Sequence, residues 1–239
     1  LPGKPVPRDQ FERPETVLTF AELFRDNCAA CHGNNGRLGA GPPLNDALFR
    51  ALVTLPELEQ VLKEGRPGTL MPAFDLRNGG TLTEAQIQLL VFEIKGIPYR
   101  VTLPKEEGGN AYVVADGAGT VPSWGTPSAV TGAPPLTAKS NGDWQAGLTV
   151  FQMSCANCHG DKGRGIDRPG SPRLALKDRT FLALSSDRVL RRYVITGRPD
   201  LGMPDFRGKE GRGDAFTPLS ATDVADVTAL LAHWRTSDQ

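Results

Sequence analysis

Apolar residues along this chain of 239 residues recur at helical spacing in short stretches, and the scheme occurs twice. Val17–Ala30 carries Leu23 and Phe24 among alanines and polar residues, with Pro14 just before it. Leu55–Glu64 sets Leu58, Val61 and Leu62 on one face, the i, i+3, i+4 spacing of a helix. Thr54 is its N-cap, Pro56 lies in the first turn, Glu57 is the third helical residue and Gly65 stops it. Thr83 caps a further stretch ending at Lys95, whose buried stripe is Ile87, Leu90, Val91 and Ile94. In the second half Trp144–Ala156, Asp187–Thr196 and Ser220–Arg235 follow in the same order. Gly197 ends the middle one, and Ser220 with Asp223 comes close to a capping box. The pattern predicts a mainly α protein. Tyr112-Val113-Val114 before Asp116-Gly117 predicts one short hairpin. No apolar run approaches the roughly 18 residues needed to cross a bilayer.

The halves also match in sequence. Phe20-Ala-Glu-Leu-Phe24 corresponds to Gly147-Leu-Thr-Val-Phe151, and Gly36-Arg37 to Gly163-Arg164, at an offset of 127. Gly65-Arg66-Pro67-Gly68-Thr69-Leu70-Met71-Pro72-Ala73-Phe74 corresponds to Gly197-Arg198-Pro199-Asp200-Leu201-Gly202-Met203-Pro204-Asp205-Phe206, at an offset of 132. A repeat this long is a duplicated domain, not a solenoid unit. The expected organisation is an extended, proline-bearing segment at 1–16, a first domain at 17–97, a connection at 98–142 and a second domain at 143–239. The connection holds six prolines and seven glycines. Its Tyr99 and Trp124 are costly to leave in water, so it is expected to be ordered and to pack on a domain.

Charge narrows the partners. Lys plus Arg and Asp plus Glu number 27 each, which argues against a nucleic-acid protein and against strong long-range steering.

The chemistry lies in Cys28-Ala-Ala-Cys31-His32 and Cys155-Ala-Asn-Cys158-His159, which use all four cysteines and two of the three histidines. Cys-x-x-Cys-His is the attachment signature of c-type haem. Structural zinc needs four converging ligands, whereas these pairs stand 127 positions apart and each has its own His. The reading is two covalently attached haem c groups, with His32 and His159 as iron ligands. A Met thioether in the sixth position gives a saturated, electron-transferring iron. Met71 and Met203 fall at equivalent places in the repeat and are the expected ligands. Met153 has no counterpart and is expected to pack. Arg66 and Arg198, before each Met, can bind a haem propionate. His233 is expected to be a surface or half-buried residue. The charged loop Arg207, Lys209, Glu210, Arg212 and Asp214 is read as solvated, with a docking rim beside the second haem as the alternative.

These motifs, over about residues 17–97 and 143–236, make the chain resemble the dihaem cytochromes c built of two tandem class I cytochrome c domains. The resemblance implies two cytochrome c-like helical domains joined by a long Pro/Gly-rich linker. It also implies a proline carbonyl that accepts from each ligating His; Pro42 and Pro172 stand in the corresponding loops. It further implies haem attachment outside the cytoplasm, hence a periplasmic or other extracytoplasmic protein, with a leader or membrane anchor ahead of Leu1 as an expectation.

The expected function is single-electron transfer with no catalytic residues, as a carrier or as a subunit of a respiratory or photosynthetic complex. The expected partners are redox proteins or such a membrane complex. The alternative is a dihaem oxidoreductase, a peroxidase or sulfur-compound dehydrogenase, or its electron-accepting subunit. That would need an iron with an open or unusual ligand, and both halves offer a Met instead.

Overall fold

A computed structural model describes residues 14–102, 112–117, 119–127, 141–166 and 175–237. In the first repeat α1 (Phe20–Asn27), α2 (Ala29–His32), α3 (Ala47–Leu52), α4 (Leu55–Glu64) and α5 (Glu84–Lys95) are followed by strands β1 (Arg100–Thr102) and β2 (Tyr112–Val114). In the second, α6 (Trp144–Ser154), α7 (Ala156–His159), α8 (Arg179–Leu184), α9 (Asp187–Thr196) and α10 (Ala221–Thr236) run in the same order.

Capping residues set most boundaries. Thr54, Thr83 and Ser220 each form a full capping box with Glu57, Gln86 and Asp223. The helix expected from Val17 begins at Phe20. The reason is that Gln86 Nε2 binds the Pro14 and Val17 carbonyls at 2.7 and 3.0 Å, which ties the preceding residues to α5. Both haem-motif helices break at the first cysteine, where Cys28 (φ −122°) and Cys155 (φ −126°) leave helical geometry. A separate single turn then carries the second Cys and the His. The six-residue helices α3 and α8 were not predicted. Each is started by an Asp, Asp46 or Asp178, that accepts from the N–H of Phe49 or Phe181 at 2.7 Å.

The hairpin differs from expectation. Tyr112–Val114 pairs with the upstream strand Arg100–Thr102, not with residues beyond Asp116-Gly117. Pairing there buries Val113 in the first core, and Asp116 binds Arg100 at 3.0 Å.

The first core gathers Phe20, Leu23, Phe24, Leu58 and Leu62 around α5, on which Ile87, Leu89 and Leu90 are fully buried. The second gathers Leu182, Leu190, Val224 and Val227, with Phe151 and Leu230 alongside. Leu48 of α3 joins the second core, so the repeats share apolar contact.

Trp124, from the connection, completes the first repeat. Its ring meets Phe20 and Phe24 edge-on at 5.1 and 5.0 Å. In the second repeat Trp234 of α10 meets Phe151 at 5.1 Å in the same manner. Each indole lies over the equivalent glycine, Gly36 or Gly163, where a Cβ would come within 2.5 Å of the ring. α5 ends at Lys95, one turn short of α10's extent, and so cannot supply its own tryptophan. Arg50 fixes the substitute: Nε bonds Ile94 O at 2.8 Å, Nη1 bonds Trp124 O at 3.1 Å and Nη2 bonds Gly125 O.

Candidate haem sites

In the first repeat α2 ends at His32, whose ring Nδ1–H donates to the Pro42 carbonyl at 2.8 Å. A carbonyl can only accept, so the proton sits on Nδ1 and the lone pair on Nε2 faces away from Pro42. Burial holds the imidazole below its ordinary range, and the charges of Arg192, Arg66 and Arg198 add to this, outweighing the bond to Pro42. The ring is therefore in its neutral, ligating form. Cys28 is buried and Cys31 exposed, which sets this motif at an edge of the core. Burial pushes the Cys28 thiol up to about 12 and the Cys155 thiol up to about 11. Neither is poised as a thiolate for redox exchange. Among the described residues no group of three or more Cys, His, Asp or Glu could hold a metal ion, so the pairs do not converge on a zinc site.

The methionine loops are clamped alike. Arg66 N donates to Met71 O at 2.9 Å and Arg198 N to Met203 O at 3.0 Å. Phe74 N and Phe206 N then return to α4 and α9, at Leu62 O and Ile195 O. The glycines before the arginines are obligatory. Gly65 and Gly197 have φ +69° and +66°, and an added Cβ would lie 2.6 and 2.5 Å from the carbonyl oxygen of Met71 or Met203.

The second repeat encloses a cavity of about 360 Å³, within the range of cofactor pockets. Cys155, Cys158, His159 and Met203 line it, with Phe151, Leu190 and Leu231 among its mostly apolar neighbours. This donor set in an apolar slot fits a covalently held haem between a His and a Met. Pro172 lies outside the described residues. Arg198 also lines the cavity, but its guanidinium already binds Asp200 through Nε at 3.0 Å and Nη2 at 2.9 Å. Arg66 has Gly68 where Arg198 has Asp200.

The repeats meet at these sites. Ala40 of the first repeat lines the second cavity. Arg198 Nη2 donates to Gly39 O at 3.1 Å, and Leu38 N donates to Asp200 Oδ2 at 2.8 Å. The loop carrying His32's acceptor is thus also a wall beside Met203.

Two expectations change. Met153 is exposed, because α6 turns that position outward. The loop after Phe206 is not wholly solvated: Arg212 folds inward, donating to Ser154 O, Asp205 O and Gly208 O at 3.1, 2.8 and 2.6 Å. It packs over Phe216, and Glu210, Gly211 and Arg212 line the cavity. Inward folding satisfies five-donor chemistry that open solvent would otherwise serve. His233 is half-buried, as expected, and stacks on Trp144 at 4.1 Å. Sequence reasoning missed Arg212, whose only signal was a position in a charged loop, and Arg192, which showed none.

A family model described as cytochrome c oxidase, cbb3-type, subunit III matches residues 15–91 and 142–227, together more than half the chain. The Cbb3-type cytochrome c oxidase subunit FixP of Bradyrhizobium sp. (strain ORS 278) is 29% identical over 195 residues, covering 78% of this chain and 53% of that protein. The subunit of the same name in Bradyrhizobium diazoefficiens is 28% identical over 204 residues, covering 83% and 59%. The chain spans little more than half the length of these curated relatives. Among solved structures, a chain of the Kuenenia stuttgartiensis reducing HAO-like protein complex is 20% identical, with 90% of this chain and 94% of that one covered and a TM-score of 0.43.

Proposed function

The chain belongs to the cbb3-type cytochrome c oxidase subunit III family, and from that premise we propose that it relays single electrons to an oxidase in a membrane complex, outside the cytoplasm. It holds two c-type haems, one in each repeat. Bound haem supplies a one-electron iron couple. The units that carry it are 17–97 and 143–239, with 98–142 between them. Cys28, Cys31, Cys155 and Cys158 tether the groups. His32 and His159 supply one axial ligand, and Met71 and Met203 the other. Pro42 orients His32 through its Nδ1–H, and Pro172, outside the described residues, is proposed as the acceptor for His159. Arg66 and Arg198 stand at the propionates. Among the described residues no helix is long and apolar enough to cross a membrane.

One observation carries this reading. Both methionine loops are clamped by the same glycine, the same arginine N–H and the same return bond to the preceding helix. A thioether held that way fills the iron's sixth position and keeps substrates off it, which suits electron transfer better than peroxide or sulfur-oxyanion chemistry. Visible and near-infrared spectra of the full chain test it: two low-spin irons with thioether charge-transfer bands are expected. A high-spin iron, or steady turnover of peroxide or thiosulfate on the order of 1 per second or faster, would establish the enzyme instead.

A further inference from the structure

Arg192 stands on α9 in the second repeat, yet its guanidinium serves the first. Nη2 donates to Pro43 O at 2.6 Å, and the guanidinium carbon lies 3.5 Å from the centroid of the Phe49 ring. Its neighbours Leu190, Tyr193 and Val194 line the second cavity, and Arg192 is absent from that lining. Pro43 directly follows Pro42, so a single peptide unit separates the carbonyl that holds His32 from the one that holds Arg192.

The guanidinium is not fully satisfied. Nε is buried with no hydrogen-bond partner among the described residues. Leaving such a donor unpaired is costly, and more so for a charged group. A second cation crowds it. Burial, then the charge of Arg66, pushes Arg192 down to about 9, and burial, then the charge of Arg188, holds Arg66 below its usual range. No carboxylate hydrogen-bonds the Arg192 guanidinium among the described residues: Asp46 offsets its charge only in part and uses Oδ1 to cap α3, and Glu57 binds Thr54 through Oε2 and Arg188 through Oε1. Clustered guanidinium groups with a spare buried donor match a carboxylate ligand. The position equivalent to Arg192 in the first repeat is Gln60, which binds Glu64 on its own helix. The arrangement therefore runs one way, from the second repeat to the first.

We propose that Arg192 is a positioning residue supplied across the repeat boundary: with Arg66 it takes a propionate carboxylate of the first-repeat haem and holds that iron's potential up. The inference rests on the His32/Met71 reading of that site. A cation on the propionate cancels negative charge near the iron, and its loss favours the ferric form.

The test is a spectroelectrochemical titration of the full dihaem chain. Met71→His first labels the waves, since only the first-repeat iron should move. Movement of neither wave would sink the ligand reading, and the inference with it. Arg192→Gln is then expected to lower the first-repeat wave by a tenfold or greater change in the ferric-to-ferrous equilibrium, 59 mV for a one-electron couple. The second-repeat wave should shift threefold or less. A first-repeat shift under threefold, or a larger shift of the other wave, overturns the proposal. If Arg192→Gln fails to retain both haems, Arg192→Lys decides the matter. It keeps the charge but loses the Nε–H, and should alter the propionate bending band in the resonance Raman spectrum. An unchanged band refutes the assignment.

Discussion

Replacing Trp124 by Ala removes an indole that wedges between Phe20, Phe24 and Gly36 while leaving the backbone that Arg50 holds. Truncating a buried Trp costs about 3–5 kcal/mol. Each edge-to-face pair lost contributes about 0.5–1.5 kcal/mol of that beyond burial. Trp124 is only part-buried, so the expected loss is at the low end, about 3 kcal/mol. For a chain of this size about 1 kcal/mol shifts Tm by about 2–4 °C, which gives a fall of about 6–12 °C. The assay is thermal and urea unfolding of the haem-loaded chain, followed by far-UV circular dichroism and by the absorbance of each haem. Trp124→Phe should recover about half the loss, because one ring still meets two. Trp234→Ala should produce a comparable loss centred on the second repeat. A Trp124→Ala midpoint within about 2 °C of the wild type would refute the view that the connection is part of the first core.

Met71→Ala and Met203→Ala should each abolish one of two methionine-to-iron charge-transfer bands, read in the near-infrared; an intact spectrum in both would discard the axial assignment. Gly197→Ala places a Cβ against Met203 O in a backbone region that only glycine adopts easily. Strain of about 1–3 kcal/mol plus the overlap should weaken the second band, and Gly65→Ala the first. Asp200→Asn should lower stability by about 2 kcal/mol near neutral pH, since it uncouples Arg198. Burial raises the Asp200 pKa, but the bonds from Arg198 and from Leu38 N–H more than offset it, and the folded carboxyl titrates below its usual range. Its stabilisation is therefore complete above the unfolded value of about 3.9 and disappears as pH falls through the folded one. The gap between wild type and variant in unfolding midpoint should close on acidification, and a constant gap would count against the ion pair.

The helices α4 and α9 were legible to the residue, because Thr54 and Ser186 cap one end and a positive-φ glycine ends the other. The two cysteine motifs and the paired methionine loops were legible from the repeat alone. The six-residue α3 and α8 were not, since two turns hold too little periodicity to stand out. The equivalent Asp46-x-x-Phe49 and Asp178-x-x-Phe181, also 132 positions apart, were the signal available. The strand partner of Val113 was misassigned because local turn residues compete with a nonlocal burial preference that sequence spacing does not encode. The partners of Arg192 and of Trp124 escaped for one shared reason. Those contacts lie in another segment of the chain, and nothing in the local neighbourhood distinguishes the two residues from a surface helix position and a loop aromatic.

A ribosome delivers Trp124 29 positions after Lys95, the last residue of α5. A first half without Trp124 lacks the ring that covers the flanks of Phe20 and Phe24. The second half meets no such delay, for Trp234 arrives inside the helix that uses it. Any fragment cut at residue 97 keeps Cys28, Cys31, His32, Arg66 and Met71 but discards both the aromatic wedge and Arg192. Duplication has left one unit that carries its aromatic wedge in its own last helix and one that takes it from a downstream segment.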